Sequence, residues 1–175
     1  MIKIAISGKL GAGKSEFLRI ANESYPWLGL TDAKFAGPIY SCLHAVQHRL
    51  DLPQEKDGKV LQFLGSHYRE KYGNKFWVKK FFENALEINH IVTDLRFPEE
   101  FEACKQRNYI LVRIKRQDDL RLDSAGNRDI NHISETALDS TPDAFFDFII
   151  NNNGSMELLE SAVHHIMGEA LRRYR

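Results

Sequence analysis

The chain has 175 residues, 43% hydrophobic and 27% charged, with 24 basic and 24 acidic side chains that cancel. That length accommodates one well-buried core and excludes two ordinary domains, while the absence of a basic excess argues against a nucleic-acid polymer as partner. No apolar run approaches the ~20 residues of a membrane span and Met1–Ser7 lacks the features of a signal peptide, so a soluble, cytoplasmic protein without a membrane partner is expected.

In chain order, Ile2, Ile4 and Ile6 flank the small Ala5 and predict a short buried first strand. A glycine-rich turn follows. Phe17, Leu18 and Ala21 then recur at helical spacing until Pro26. Residues 33–36 are read as a second strand. Gly37-Pro38 opens a helix whose stripe is Ile39, Leu43, Val46 and Leu50. Further helices are expected from Gly58 to Tyr72 and from Phe76 to about Leu86.

Ile91-Val92-Thr93 reads as a strand ending at Asp94, and Pro98-Glu99-Glu100 starts a helix with acids suited to its positive end. Tyr109–Ile114 is another strand. The polar stretch from Arg116 to Asn131 has no periodicity and predicts a long mobile loop. Phe146–Ile150 is the last strand, followed by a helix with Leu158, Leu159, Ala162, Val163, Ile166 and Ala170 as apolar positions. Strands alternating with helices imply an α/β fold with a parallel sheet covered on both faces. Ligands on such sheets bind beyond the carboxyl ends of the strands.

Gly8-Lys9-Leu10-Gly11-Ala12-Gly13-Lys14-Ser15 fits G-x-x-x-x-G-K-[ST] without a mismatch, between a predicted strand and a predicted helix. Glycines let backbone N–H groups turn inward around phosphate oxygens, and the helix start points its positive end at the same anion. Gly8, Gly11, Ala12, Gly13, Lys14 and Ser15 are therefore expected to hold ATP. Lys14 would bridge the terminal phosphates and the Ser15 hydroxyl would ligate Mg²⁺. Lys9 is read as a solvated loop residue.

Asp94, at a strand end on the active edge, is a candidate Mg²⁺ ligand or acceptor-orienting group; capping the turn before Pro98 is the alternative. Arg96 beside it suits bidentate binding of an acceptor phosphate. Arg69 either reaches over the acceptor or belongs to a charged helix face with Glu70 and Lys71. The loop over 113–131 carries Arg113, Lys115, Arg116, Arg121 and Arg128. Phosphoryl transfer gains from cationic clamping and exclusion of water, and Arg116 and Arg121 are the candidates for that role. His132 is expected to be structural or incidental. Cys42 and Cys104 show neither CxxC spacing nor a Cys/His cluster and are read as reduced thiols.

With these residues in place, the chain resembles phage-type deoxynucleoside monophosphate kinases, of the P-loop nucleoside monophosphate kinase superfamily, which share features with phosphomevalonate kinases. The resemblance is carried by Gly8–Ser15, Lys34-Phe35-Ala36-Gly37-Pro38, Leu61-Gln62-Phe63-Leu64-Gly65 with Arg69 and Trp77, Val92-Thr93-Asp94-Leu95-Arg96-Phe97-Pro98-Glu99-Glu100, His132-Ile133-Ser134-Glu135 and Ile149-Ile150-Asn151 with Gly154. It implies a single three-layer α/β/α domain over 1–175 with a five-stranded parallel core, a helical acceptor-binding part around 37–87 and a mobile lid around 115–135. By the same resemblance Arg69 and Arg96 bind the acceptor phosphate, Gln62 and Trp77 lie near the acceptor, and a homodimer is expected. For Trp77, stacking on a base and packing in the core are both open. The family segment continues with Leu-Lys after the proline where this chain has Ile39-Tyr40. The activity implied is transfer from MgATP to a deoxynucleoside monophosphate. Another small acceptor such as phosphomevalonate, and a non-catalytic nucleotide-binding module, are the alternatives.

Overall fold

The computed structural model describes residues 1–83, 87–120 and 129–174. Five strands form one sheet: β1 (Lys3–Ser7), β2 (Thr31–Ala33), β3 (His90–Leu95), β4 (Ile110–Lys115) and β5 (Phe148–Asn151). Their order is β2-β3-β1-β4-β5, and every neighbouring pair is parallel. The seven helices among the described residues are α1 (Lys14–Ser24), α2 (Gly37–Arg49), α3 (Gly58–Tyr72), α4 (Phe76–Glu83), α5 (Pro98–Gln106), α6 (Ile133–Thr136) and α7 (Met156–Arg173).

The central strand explains the layering. Ile4 and Ile6 of β1 join Phe17 of α1 and Val163 and Ile166 of α7 in one core cluster. Ala5 between them points the other way, into a cluster with Val92, Phe101 of α5 and Leu111. A strand buried on both faces must be apolar at every position, which is why these strands read as continuous runs. A third cluster, Ile39, Leu43, Leu61 and Trp77, holds α2, α3 and α4 together beside the sheet. No helix among the described residues is long and apolar enough to cross a membrane.

The differences from expectation have local causes. The second strand is Thr31–Ala33 and not 33–36. Phe35 and Ala36 instead turn into α2, because their N–H groups are taken by the Asp94 carboxylate. The α2 stripe ends early: Ile39 and Leu43 are buried, but Val46 and Leu50 are exposed and Gln47 is buried in their place. Gln47 manages this by donating its amide to Glu55 O. The last strand begins at Phe148, after a 3₁₀ turn at Asp143–Phe145. Leu158 of α7 is exposed, whereas Leu159, Val163, Ile166 and Ala170 face the core. The helix expected to reach about Leu86 is described as far as Glu83.

Candidate functional site

The loop Gly8–Ser15 joins β1 to α1 at the carboxyl edge of the sheet. Gly8 and Gly13 are required by close approaches. A Cβ on Gly8 would come within 2.6 Å of Ile114 O in β4. One on Gly13, whose φ is 109°, would come within 2.5 Å of Asn152 Nδ2. That Asn152 amide donates to Ala12 O at 2.9 Å, so the end of β5 braces the loop from below. The Lys14 ammonium folds back over the loop and donates to Gly8 O (2.6 Å) and Lys9 O (2.8 Å). Such a cradle, with Ser15 exposed at its rim, fits the phosphates of a nucleotide and a Mg²⁺ ion beside them. Lys9 lies outside it, paired with Asp139 at 3.1 Å on the surface.

A cavity of about 450 Å³ opens from this loop. Its walls carry Asp94, Arg96, Arg69, Gln62 and Trp77, so the acceptor-side residues expected from the sequence share one space with Gly11–Ser15. Phe35, Ile39, Tyr40 and Leu61 line its apolar part.

Asp94, near the end of β3, accepts the N–H groups of Phe35 (2.9 Å) and Ala36 (3.0 Å), one on each carboxylate oxygen. It thereby fixes the entry to α2. Burial pushes its pKa up against those two hydrogen bonds. Each oxygen keeps a further lone pair, so a metal contact is compatible with this anchoring role.

The two arginines are held by carboxylates that residue-by-residue reading did not assign to the site. Glu100 accepts the N–H groups of Arg96 (2.9 Å) and Phe97 (3.1 Å) on one oxygen and Arg69 Nη2 (3.2 Å) on the other. Burial, reinforced by the charge of Asp94, pushes its pKa up to about 8. A signal for this residue existed, since a glutamate at the third position of a helix commonly reaches back to the N-terminal N–H groups. Glu135 in α6 pairs with Arg96 Nη1 and accepts the Leu10 N–H of the glycine-rich loop at 2.9 Å. Arg96 Nη1 also donates to Ser134 O at 3.0 Å.

Gln62 pairs its amide with the backbone of Asp129, donating to the carbonyl (3.0 Å) and accepting the N–H (3.2 Å). Trp77 is 7% exposed and donates its indole N–H to Gly65 O at 2.9 Å. His132 lies between Ser66 Oγ (3.0 Å) and Ser134 Oγ (2.9 Å) and caps α6, with burial lowering its pKa. Arg116 Nη1 reaches Gly11 O at 3.2 Å. Arg121 and Arg128 lie outside the described residues. Arg113 belongs to β4 and not to a loop: it donates to Leu138 O and Thr141 O, pairs with Asp143 and lies over the Phe146 ring, which makes it a brace for the chain after α6. Of the segment expected as a lid over 115–135, Lys115 still pairs in the sheet, and residues 121–128 lie outside the described residues.

No known family profile matches the chain, and no curated protein is similar enough in sequence to match it. Among solved structures it is similar to the crystal structure of shikimate kinase from Bacteroides thetaiotaomicron, with a TM-score of 0.53 and 13% identity over 95% of this chain and 97% of that one. The likeness is one of fold: a five-stranded parallel sheet with helices on both sides, the P-loop kinase α/β architecture.

Proposed function

We propose that the chain transfers the terminal phosphoryl group of ATP to the phosphate of a deoxynucleoside monophosphate, releasing ADP and the diphosphate. The observation that carries this reading is the shared cavity, lined both by the glycine-rich loop Gly11–Ser15 and by two arginines, Arg69 and Arg96. A donor phosphate on the loop and an acceptor phosphate on the arginines would meet in that space. Direct in-line transfer needs mainly such positioning and charge compensation.

The loop N–H groups and Lys14 would hold the donor phosphates, the ammonium leaving the Gly8 and Lys9 carbonyls for the phosphate oxygens. Ser15, with Asp94, would hold Mg²⁺, which when bound neutralises charge on the phosphates. Arg69 and Arg96 would orient the acceptor phosphate, and Phe35, Ile39, Tyr40, Leu61 and Trp77 offer the apolar wall for its base and sugar. The attacking phosphate oxygen is already anionic near neutral pH, so the chain needs no general base. His132, engaged by Ser66 and Ser134, then serves to hold two walls of the cavity together.

The test is ADP release with MgATP against a panel of dAMP, dGMP, dCMP, dTMP, the ribonucleotides, phosphomevalonate and shikimate, run beside Lys14→Ala. Turnover with a deoxynucleotide, lost in the variant, supports the reading and names the substrate. Turnover only with phosphomevalonate or shikimate moves the chain to another acceptor. ATP binding without acceptor-dependent turnover leaves a nucleotide-binding module.

A further inference from the structure

Arg96 lines the cavity and Leu10 belongs to the glycine-rich loop, and one carboxylate touches both. Glu135 Oε2 accepts the Leu10 N–H at 2.9 Å, and Glu135 Oε1 lies 2.5 Å from Arg96 Nη1. The Glu135 side chain is 4% exposed and that of Arg96 15%, so water screens this link little. Burial alone would raise the Glu135 pKa, but the Arg96 charge, the Leu10 N–H and Lys14 outweigh it and hold the group below the ordinary carboxylate value. Arg96 is fixed from its other side as well, since its own N–H is bound by Glu100 at 2.9 Å. The guanidinium therefore has its main chain tied to α5 and its tip tied, through α6, to the loop.

A carboxylate is the side-chain group that can do this at such a point. It offers two acceptor oxygens, one for each donor, and its charge balances the guanidinium. An amide has one acceptor oxygen and would present N–H groups to the other donor. An aspartate has the charge but is one methylene short.

We propose that Glu135 is a positioning residue that couples Arg96 to the phosphate loop, so that the donor and acceptor phosphates are held at one spacing. The functional half of this rests on the reading of Arg96 as an acceptor-phosphate cation; the coupling itself does not. Removing Glu135 leaves both ends of the site in place while the distance between them loosens, which lowers kcat more than it raises either KM.

The experiment compares wild type, Arg96→Ala, Glu135→Gln and the double variant, with thermal unfolding to confirm folding. The first readout, independent of any acceptor, is the ¹⁵N–¹H resonance of the Leu10 amide. Arg96→Ala is expected to move it in wild type and to leave it unmoved once Glu135 is Gln. The second is steady-state kinetics with the best acceptor: Glu135→Gln is expected to lower kcat about tenfold, and Arg96→Ala to cost less on top of it than alone. Glu135→Asp should break the coupling in the same way, and serves where the glutamine variant does not fold. A Leu10 response to Arg96→Ala that persists without Glu135, or fully additive kinetic losses, overturns the proposal. Wild type that turns over no acceptor overturns the kinase reading instead, and the Leu10 readout still decides the coupling.

Discussion

Arg69 Nη2 lies 3.2 Å from Glu100 Oε1, and the Arg69 guanidinium carbon sits 3.5 Å from the centre of the Phe97 ring. The arginine is thus stacked, paired and largely out of water. Burial lowers its pKa against the attraction of Glu100 and Glu99. Arg69→Lys keeps the charge but loses the planar stack and the fork. It is expected to raise the acceptor KM roughly 10- to 100-fold, the loss of one charge-assisted contact, with a much smaller change in the MgATP KM. Steady-state kinetics with each substrate varied checks this. Arg69→Ala is the poorer probe, because it removes the stack on Phe97 and the Glu100 contact together.

Glu100 also sets a pH dependence of stability. Its pKa rises from 4.5 to about 8 on folding, through burial and then the Asp94 charge. Between those values the folded chain keeps a proton that the unfolded chain has released. The Glu100 contribution is therefore present in full below the unfolded pKa and is lost as pH rises through about 8. His90 and His132, with lowered pKa values, act in the opposite sense below 6.5. Comparison with Glu100→Gln isolates the contribution of this carboxyl group. The variant starts less stable, since its amide has one acceptor oxygen for Arg69 on one side and the Arg96 and Phe97 N–H groups on the other, but its Tm is expected to fall less than that of wild type between about pH 6 and 8. Parallel Tm–pH curves for the two proteins would contradict this.

Gly13→Ala places a methyl group 2.5 Å from Asn152 Nδ2 at a φ of 109°, where side chains are strained. The Asn152 amide must move and release Ala12 O, which removes the brace on the loop. The expected result is loss of measurable MgATP binding by titration and a stability loss of about 1–3 kcal/mol. Gly37→Ala is the control: a Cβ there meets nothing within 4 Å, and its effect is expected within about 0.5 kcal/mol.

Trp77→Phe removes the indole N–H from Gly65 O and part of the packing among Ile39, Leu43 and Leu61. A stability loss of about 1–3 kcal/mol is expected by denaturant unfolding. The ratio of KM values between purine and pyrimidine acceptors is expected to stay within about twofold. A base-dependent change would instead reveal stacking on the acceptor.

The two carboxylates show where sequence reading stopped. Glu100 was visible as an acid in the first turn of a helix, a role that predicts exposure. In the structure it is 3% exposed and serves two arginines, because α5 presents that turn to the cavity and not to solvent. The α2 stripe was legible for Ile39 and Leu43 and misread for Val46 and Leu50. Periodicity reports which face is apolar, not how far a partner extends along it.

The sequence by itself determined the alternation of strands and helices, the glycine-rich loop between β1 and α1, and the strand end that carries Asp94 and Arg96. These are local properties, written in runs of a few residues whose burial or turn geometry admits few alternatives. Only the tertiary structure decided which charges meet. Arg69 finds Glu100 31 positions away and Leu10 finds Glu135 125 positions away. Whether a carboxylate is solvated or shared between two cationic or N–H partners depends on what the fold packs over it, and no local pattern carries that information.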